Sequence, residues 1–194
     1  MSTESKLDPQ SPVKPWWQQQ GETIRIFAVA LAIAFLLRSF IVEPRFIPSG
    51  SMEPTLQIGD RILVDKISLK WQEPQRGDIL IFYPPKSPAI EDSSKAYIKR
   101  LVGIAGDQIA VQGGKVYRNG QAMDEEYIAE PIRYSMRPVT VPQGYYWMMG
   151  DNRNFSNDSH VWGFLPKQNV IGRASLRFFP FDERLGTITL SPKN

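Results

Sequence analysis

The sequence lacks cysteine entirely and contains only one histidine, His160. Without thiols, the chain has no disulfide, zinc–thiolate site, iron–sulfur cluster or cysteine nucleophile. One imidazole also cannot supply the two histidines that a helical zinc-protease motif requires. If the protein performs hydrolysis, we therefore expect a base other than the usual histidine.

Neither sign of charge is in large excess, because 23 Lys and Arg stand against 20 Asp and Glu. The basic residues are scattered along the chain, which disfavours nucleic-acid binding. Hydrophobic residues make up 42% of the sequence and aromatics 11%, which excludes disorder of the whole. The 194 residues leave room for one compact domain with short appendages.

The longest apolar run lies near the N-terminus. Residues 1–22 are polar and predict a tail, whereas Ile26 to Leu37 are twelve apolar residues without interruption. The run widens to nineteen residues, 24–42, if two arginines and a serine are admitted. As a helix this wider run would be about 28 Å long, close to a hydrocarbon core of about 30 Å. We predict a single transmembrane helix over residues 23–43, followed by a β-rich catalytic domain over residues 44–194.

Two other interpretations of this run are a cleaved secretory signal and a buried core helix. A cleaved signal has the same basic start, but it should end at a small-x-small site, and residues 38–44 offer none. We rank the core helix behind both. Lys6, Lys14 and Arg25 favour a cytoplasmic N-terminus, with the following domain on the outer, periplasmic or lumenal side.

The rest of the chain has the patterning of β-strands. Short apolar runs alternate with turn dipeptides such as Gly113-Gly114 and Asn119-Gly120, and no long helical period is sustained. This pattern predicts a mainly β domain, an irregular antiparallel β sandwich or barrel. Residues 84–95, rich in Pro and Ser, predict a mobile surface loop. The predicted strands are 61–65, 78–83, 96–102, 109–112, 115–118, 121–123, 145–149 and 170–179.

A serine-containing loop, Pro48 to Leu56, follows the apolar run. The tripeptide Ser49-Gly50-Ser51 alone is more typical of a flexible turn than of a catalytic site. Here prolines restrict the backbone on both sides, and Gly50 allows a sharp turn that brings two hydroxyls together. The loop is therefore a candidate platform for a nucleophile.

A serine nucleophile needs an unprotonated base, and the candidates are His160 and a lysine whose ammonium form is destabilised. Strand alternation places Tyr97 and Leu101 on the same face as Lys99. Lowering a lysine pKa from about 10.4 to about 8 takes roughly 3 kcal/mol, which burial can supply. From the strand alone, an ordinary lysine with its amine in water is the commoner interpretation.

A third polar segment, Gly150 to Gly163, is typical of either a solvated loop or the floor of a site. A calcium-binding loop is a further hypothesis for this segment. Arg153, however, occupies a position that requires an oxygen ligand, and Trp162 stands where a bidentate glutamate belongs. Metal binding is therefore disfavoured.

Together these segments resemble the type I signal peptidases, membrane-bound serine proteases that remove signal peptides. The family's four motifs match in order over roughly residues 25–180, and the ending DSHVWGFLP is most similar to the cyanobacterial and thylakoid branch. The matching motifs are PSGSMEPTL (48–56), GDILIFYP (77–84), YIKRLVGIAGD (97–107) and GDNRNFSNDSHVWGFLP (150–166).

The resemblance implies a Ser/Lys dyad that needs neither a cofactor nor a metal. Ser51 aligns with the nucleophile and Lys99 with the general base. The Ser49 hydroxyl aligns with a group that stabilises the oxyanion together with the backbone N–H of Ser51. The residues implied to orient the lysine or shape the site are Ser156, Tyr97, Asp151, Arg153 and Asp158.

Three departures from the family pattern leave the implied nucleophile and base untouched. Ala105 replaces a usual proline, and Asn154-Phe155 replaces the more typical Asp-Asn. His160 stands where many members have arginine. An arginine cannot act as a base, and this argues against His160 in that role.

The implied partners are preproteins that carry signal peptides, with small residues at the first and third positions before the cut, and the lipid bilayer. The oligomeric state is left open. A non-catalytic peptide-binding or assembly module and a self-cleaving Ser/Lys protease are alternative functions. For Phe178 to Phe181, ordinary core positions are favoured slightly over an apolar edge resting on lipid.

Overall fold

The structure is a computed structural model that describes residues 16–40 and 42–188, so most of the predicted tail lies outside the described residues. The chain divides into two compact units, Met1–Ser39 and Phe40–Asn194. In the first, α1 (Trp16–Phe40) is a 25-residue helix rich in Ala and Leu, which are strong helix formers. Among the helices of the described ranges, none is both long and apolar enough to cross a membrane.

The second unit is mainly β, as predicted, and its strands pair antiparallel. An eight-stranded sheet has the order β1-β2-β11-β3-β4-β9-β10, with β12 paired to β11, and a four-stranded sheet has the order β7-β6-β5-β8. The strands are β1 (Val42–Phe46), β2 (Arg61–Asp65), β3 (Ile79–Phe82), β4 (Tyr97–Gly103), β5 (Gln108–Gln112), β6 (Lys115–Arg118), β7 (Gln121–Ala122), β8 (Met136–Thr140), β9 (Tyr145–Met149), β10 (Leu165–Pro166), β11 (Val170–Phe179) and β12 (Gly186–Thr187).

The turn dipeptides correctly predict the hairpins of the smaller sheet. Gly113 and Gly114 connect β5 to β6, and Asn119-Gly120 connects β6 to β7. Asn119 has φ 55° and Gly120 φ 82°, the left-handed backbone that a tight hairpin turn requires. Because this turn fixes the register, Arg118 pairs with Gln121 across it.

Four strands were not predicted, namely β1, β8, β10 and β12. In β1 a proline and two charged residues interrupt the apolar pattern, so pairing with β2 rather than local preference establishes the strand. Val42 and Glu43, which the sequence analysis assigns to the anchor, lie in this strand. Glu43 forms ion pairs with Arg45 at 2.6 Å and Lys66 at 3.1 Å, which accounts for a charged residue at this position.

Strands β3 and β4 occupy the middle of the larger sheet, and apolar clusters cover both of their faces. One cluster includes Met52, Ile81 and Ile98, and another includes Phe82 and Leu101. A side chain on either face of β4 is therefore removed from solvent. This burial applies even to the charged residues of the strand.

The aromatic segment near the end of β11 lies at the surface. Phe181 is 81% exposed, and Phe179 is also exposed. Their rings meet edge to face with centroids 5.8 Å apart, and the Arg61 guanidinium lies 5.0 Å from the Phe179 ring centroid. The core interpretation is therefore wrong for these two phenylalanines.

Candidate active site

The serine loop and strand β4 bring a hydroxyl and an amine into contact. Lys99 Nζ lies 2.6 Å from Ser51 Oγ and donates a second hydrogen bond to the Ile98 carbonyl at 3.0 Å. Lys99 is 4% exposed and Ser51 is 8% exposed. The amine therefore has few partners besides the hydroxyl, and water has little access to either group.

Burial lowers the pKa of Lys99 to about 8, because removal from water destabilises the ammonium form. The negative charges of Asp158 and Asp151 act in the opposite direction and raise the pKa. The Tyr97 ring centroid lies 5.5 Å from Lys99 Nζ. A pKa of about 8 leaves roughly a tenth of the amine neutral at neutral pH, which is a useful fraction for a general base.

The backbone around Ser51 is held by the polar segment that begins at Gly150. Ser51 lies in a short 3-10 turn, Gly50–Met52, whose Met52 side chain is fully buried. The Asn152 backbone N–H donates to the Ser51 carbonyl at 3.1 Å, and its side-chain amide donates to the Gly50 carbonyl at 3.1 Å. The nucleophile candidate thus lies on a fixed turn rather than on a free loop.

Ser49 precedes this turn and is exposed. Its backbone is extended, with φ −137° and ψ 153°, and its hydroxyl does not cap the turn. The hydroxyl is therefore not engaged in holding the turn. Its assignment to oxyanion stabilisation remains a prediction.

Gly150 is the point of closest approach between the polar segment and the serine loop. A Cβ at this position would collide with Ser156 Oγ and with the Ser51 carbonyl oxygen. Ser156 Oγ is buried and has no hydrogen-bond partner within the described part of the chain. The structure therefore places Ser156 beside the serine loop without a hydrogen bond to the Lys99 amine, and its lysine-orienting role remains a prediction.

Asp151 is fully buried and forms a two-bond ion pair with Arg100, a residue that the sequence analysis did not select. Arg100 Nε donates to Asp151 Oδ1 at 2.8 Å, and Nη2 donates to Oδ2 at 2.6 Å. The Thr55 hydroxyl donates to Asp151 Oδ2 at 2.5 Å. The pair therefore joins β4, the serine loop and the polar segment.

Arg153 is also buried and pairs with Glu125, a second residue that sequence reasoning missed. Its two terminal nitrogens donate to the carboxylate at 2.8 and 2.6 Å, and its Nε donates to the Gly150 carbonyl at 2.9 Å. These contacts raise the pKa of the guanidinium above its ordinary value. The Tyr127 ring lies between the two arginines, with its centroid 4.0 Å from Arg100 and 5.8 Å from Arg153.

Asp158 contacts Gly150 and caps the N-terminus of α2 (Ser159–Trp162). Its Oδ2 accepts from the Gly150 backbone N–H at 2.9 Å, and its Oδ1 lies 2.7 Å from His160 Nδ1. The imidazole stacks on the Tyr134 ring with centroids 4.3 Å apart. His160 therefore contacts a carboxylate of the site floor, whereas the hydroxyl of Ser51 contacts Lys99.

A serine hydroxyl that contacts a buried amine of lowered pKa is an arrangement suited to acyl transfer without a histidine base. Comparison with known proteins agrees with this class. The chain belongs to the family described as "Signal peptidase, peptidase S26", whose sequence model matches residues 20–179.

Several relatives within the family are similar over most of this chain. A protein named "Probable signal peptidase I-1" from Synechocystis sp. is 50% identical over 94% of this chain and 95% of its own length. "Signal peptidase I" from Leptolyngbya laminosa is 43% identical over 88% of this chain and 85% of its own length. "Thylakoidal processing peptidase 1, chloroplastic" from Arabidopsis thaliana is 42% identical over 82% of this chain and 48% of its own length. The protein is thus a signal peptidase of the cyanobacterial and thylakoid branch, as predicted.

Proposed function

We propose that the protein is a membrane-anchored serine endopeptidase that removes signal peptides from translocated preproteins with a Ser51/Lys99 dyad. The observation that carries this proposal is the 2.6 Å contact between Ser51 Oγ and Lys99 Nζ, both of them buried. A lysine held in this way can be neutral near physiological pH, and a neutral amine can remove a proton from a neighbouring hydroxyl.

In the first half of the reaction, the neutral Lys99 amine accepts the proton of Ser51 as the serine oxygen attacks the scissile carbonyl carbon. The resulting ammonium donates that proton to the leaving amine as the peptide bond breaks, and an acyl ester remains on Ser51. In the second half, water attacks the ester while the same amine accepts its proton, and Ser51 recovers a proton when it leaves. Each half-reaction returns Lys99 to its neutral form.

The charge that develops on the carbonyl oxygen is stabilised by the Ser51 backbone N–H and the Ser49 hydroxyl. A donor of this kind contributes about 3 kcal/mol to lowering the barrier. The exposed position of Ser49 at the start of the turn supports this role, because its hydroxyl does not cap the turn. Ser156, packed against Gly150, limits the movement of the Lys99 amine, while Asp151, Arg153 and Asp158 hold the floor of the site.

The substrate binds as an added strand beside the serine loop. β1 forms one end of the larger sheet and leads directly into Pro48 and the catalytic turn, which supports this placement. An edge strand offers its unpaired backbone groups to an extended peptide, and shallow pockets then select small side chains before the cut. The peptides that bind in this way belong to preproteins whose signal segments emerge at the bilayer surface.

The proposed general base makes the reaction rate dependent on pH. Burial lowers the pKa of Lys99 to about 8, so the neutral fraction rises with pH through this value. We expect kcat/KM for a preprotein or a quenched signal-peptide substrate to increase about tenfold per pH unit below the pKa and to level off above it. The full chain in detergent is measured from about pH 6 to about pH 10. A flat profile across this interval contradicts Lys99 as the base.

The membrane anchor is a separate part of the proposal. It is supported by the uninterrupted apolar run from Ile26 to Leu37 in α1 and by the exposed side chains of Ile26, Phe27 and Leu31. We expect the full chain to remain in the membrane pellet after alkaline carbonate extraction. A charge at the centre of a span costs about 2.5 to 3.5 kcal/mol. The double substitution Leu31→Arg/Ala32→Asp should therefore release most of the protein.

The control for this extraction is Gln20→Arg, which adds a charge to α1 outside the apolar run. It should stay with the membrane. Release of the unaltered chain by carbonate, under conditions that retain a known integral protein, would show that α1 does not anchor the protein.

A further inference from the structure

The negative charges of two buried carboxylates, Asp158 and Asp151, raise the pKa of the Lys99 amine. Each carboxylate contacts a different kind of partner. Asp151 is paired through two hydrogen bonds with Arg100, whose guanidinium remains charged across the physiological range. Asp158 instead contacts the imidazole of His160, with Oδ1 and Nδ1 2.7 Å apart. Histidine is the side chain whose charge ordinarily changes between about pH 5 and about pH 8.

The position of Asp158 connects this histidine to the dyad. Its second oxygen, Oδ2, accepts from the Gly150 backbone N–H at 2.9 Å. Gly150 in turn packs directly against the Ser51 carbonyl and Ser156 Oγ. Two residues, Asp158 and Gly150, therefore connect the imidazole to the backbone that carries Ser51.

The contact between the imidazole and Asp158 survives a change in protonation. An ionised carboxylate can only accept hydrogen bonds, so Nδ1 carries a proton in both forms of the ring. The additional proton of the cationic form is added at Nε2. The net charge of the pair changes by one unit while its hydrogen bond stays in place.

Charged and titratable groups from the neighbouring elements also face this pair. The Tyr134 ring stacks on the imidazole at 4.3 Å, and burial raises the pKa of Tyr134 well above its ordinary value. The charges of Asp158 and Glu125 also raise this pKa, and the charge of Arg153 lowers it. Arg153 and Glu125 offset each other through their two hydrogen bonds, at 2.8 and 2.6 Å. The His160 side chain is 22% exposed, so it can exchange a proton with solvent.

We propose that His160 is a positioning residue that links the protonation of Lys99 to the pH of the surrounding solvent through Asp158. When the imidazole is neutral, the Asp158 charge acts on the amine unopposed and favours the ammonium form. When the imidazole is cationic, it offsets that charge, and the amine gives up its proton more readily. The inference rests on the proposed function, because it requires Lys99 to act as the base.

The test compares pH–rate profiles of the wild type with those of His160→Arg, a permanent cation, and His160→Gln, a permanent neutral group. We expect the midpoint of the His160→Arg profile to lie about half a unit to one unit below that of His160→Gln. The wild type should follow His160→Gln at alkaline pH and approach His160→Arg at acid pH. Near pH 5 it should then be about three- to tenfold faster than His160→Gln.

A charge control is Gln168→Arg, which adds a cation at an exposed position between β10 and β11. This variant should keep the wild-type profile. Equal midpoints for His160→Arg and His160→Gln would overturn the inference while leaving the dyad intact. The absence of a rising limb from all the profiles would instead overturn the proposed function.

A second measurement does not depend on activity. His160 is the only histidine in the chain, so its imidazole gives an unambiguous NMR titration in the detergent-solubilised protein. Coupling between two sites is reciprocal. Lys99→Met removes the ammonium cation and should therefore raise the titration midpoint of the imidazole. This increase should equal the difference between the kinetic midpoints of His160→Gln and His160→Arg. An imidazole midpoint that Lys99→Met leaves unchanged overturns the inference even if a variant at position 160 fails to fold.

Discussion

Replacing Ser51 by Ala or Lys99 by Met should each reduce preprotein cleavage by at least about a thousandfold, because the proposed reaction loses either its nucleophile or its base. In the proposed dyad the two groups act as a unit through their 2.6 Å contact. The double substitution should therefore cost little more than either single one. The measurement is single-turnover cleavage of a preprotein by the full chain in detergent.

Lys99→Arg is the informative companion of these variants. Arginine keeps the positive charge and hydrogen-bonding capacity, but it does not deprotonate in proteins. It should be as inactive as Lys99→Met if the amine is a base. The matched control is Lys95→Met, at an exposed lysine on the connection before β4, which should retain full activity. Activity in Lys99→Arg close to that of the wild type would exclude the proposed mechanism.

Loss of activity in Lys99→Met should be accompanied by a gain in stability. In the folded state the pKa of Lys99 is lowered to about 8, whereas its ordinary value is 10.5. Below about pH 8 both states carry the proton, so the folded state bears the full cost of a buried ammonium, about 3 kcal/mol. As pH rises toward the unfolded pKa, this cost disappears. The free energy of unfolding of Lys99→Met should therefore exceed that of the wild type most at neutral pH, and the difference should shrink in alkali.

The burial of Lys99 could not be read from the local sequence. Alternation correctly places Tyr97 and Leu101 on the lysine's face, but alternation does not say whether that face meets solvent. The deciding fact is that β4 lies between β3 and β9, in the middle of the sheet. Such a position depends on pairings made by residues far away in the chain. Strand alternation makes Lys99 only one of two candidate bases, and the ordered motifs are what favour it.

Arg100 and Glu125, the two ion-pair partners that the sequence did not reveal, were missed for the same reason: their contacts are with residues far away in the chain. Arg100 is next to Lys99, and strand alternation assigns it to the opposite face, but its partner Asp151 is 51 positions away in the chain. Glu125 lies between β7 and β8 in a segment without regular structure, and no spacing pattern marks it. Turns, by contrast, are encoded within a few residues, and the hairpins of the smaller sheet were predicted from their glycines and asparagine.

Removing one member of the Arg100–Asp151 pair should destabilise the β domain by about 3 to 5 kcal/mol, because the other charge would remain buried without a partner. The negative charge of Asp151 already raises the pKa of the Lys99 amine. In Arg100→Met this charge is no longer offset by the guanidinium, so the pKa of Lys99 should rise further. The rising limb of the pH–rate profile should then move to higher pH. Urea unfolding in detergent, followed by tryptophan fluorescence, measures the loss of stability.

A double substitution distinguishes the cost of an unpaired charge from the loss of packing. Arg100→Met/Asp151→Leu removes both charges, and it should recover much of the stability that Arg100→Met loses, because buried ion pairs can be replaced by apolar groups of similar volume. Recovery should be incomplete, since the Thr55 hydroxyl and the Gly77 carbonyl each lose a partner. Arg133→Met breaks an exposed pair with Glu130 and should change stability little. If the double variant were as unstable as Arg100→Met, the pair would contribute through its shape and its hydrogen bonds, and not through compensation of charge.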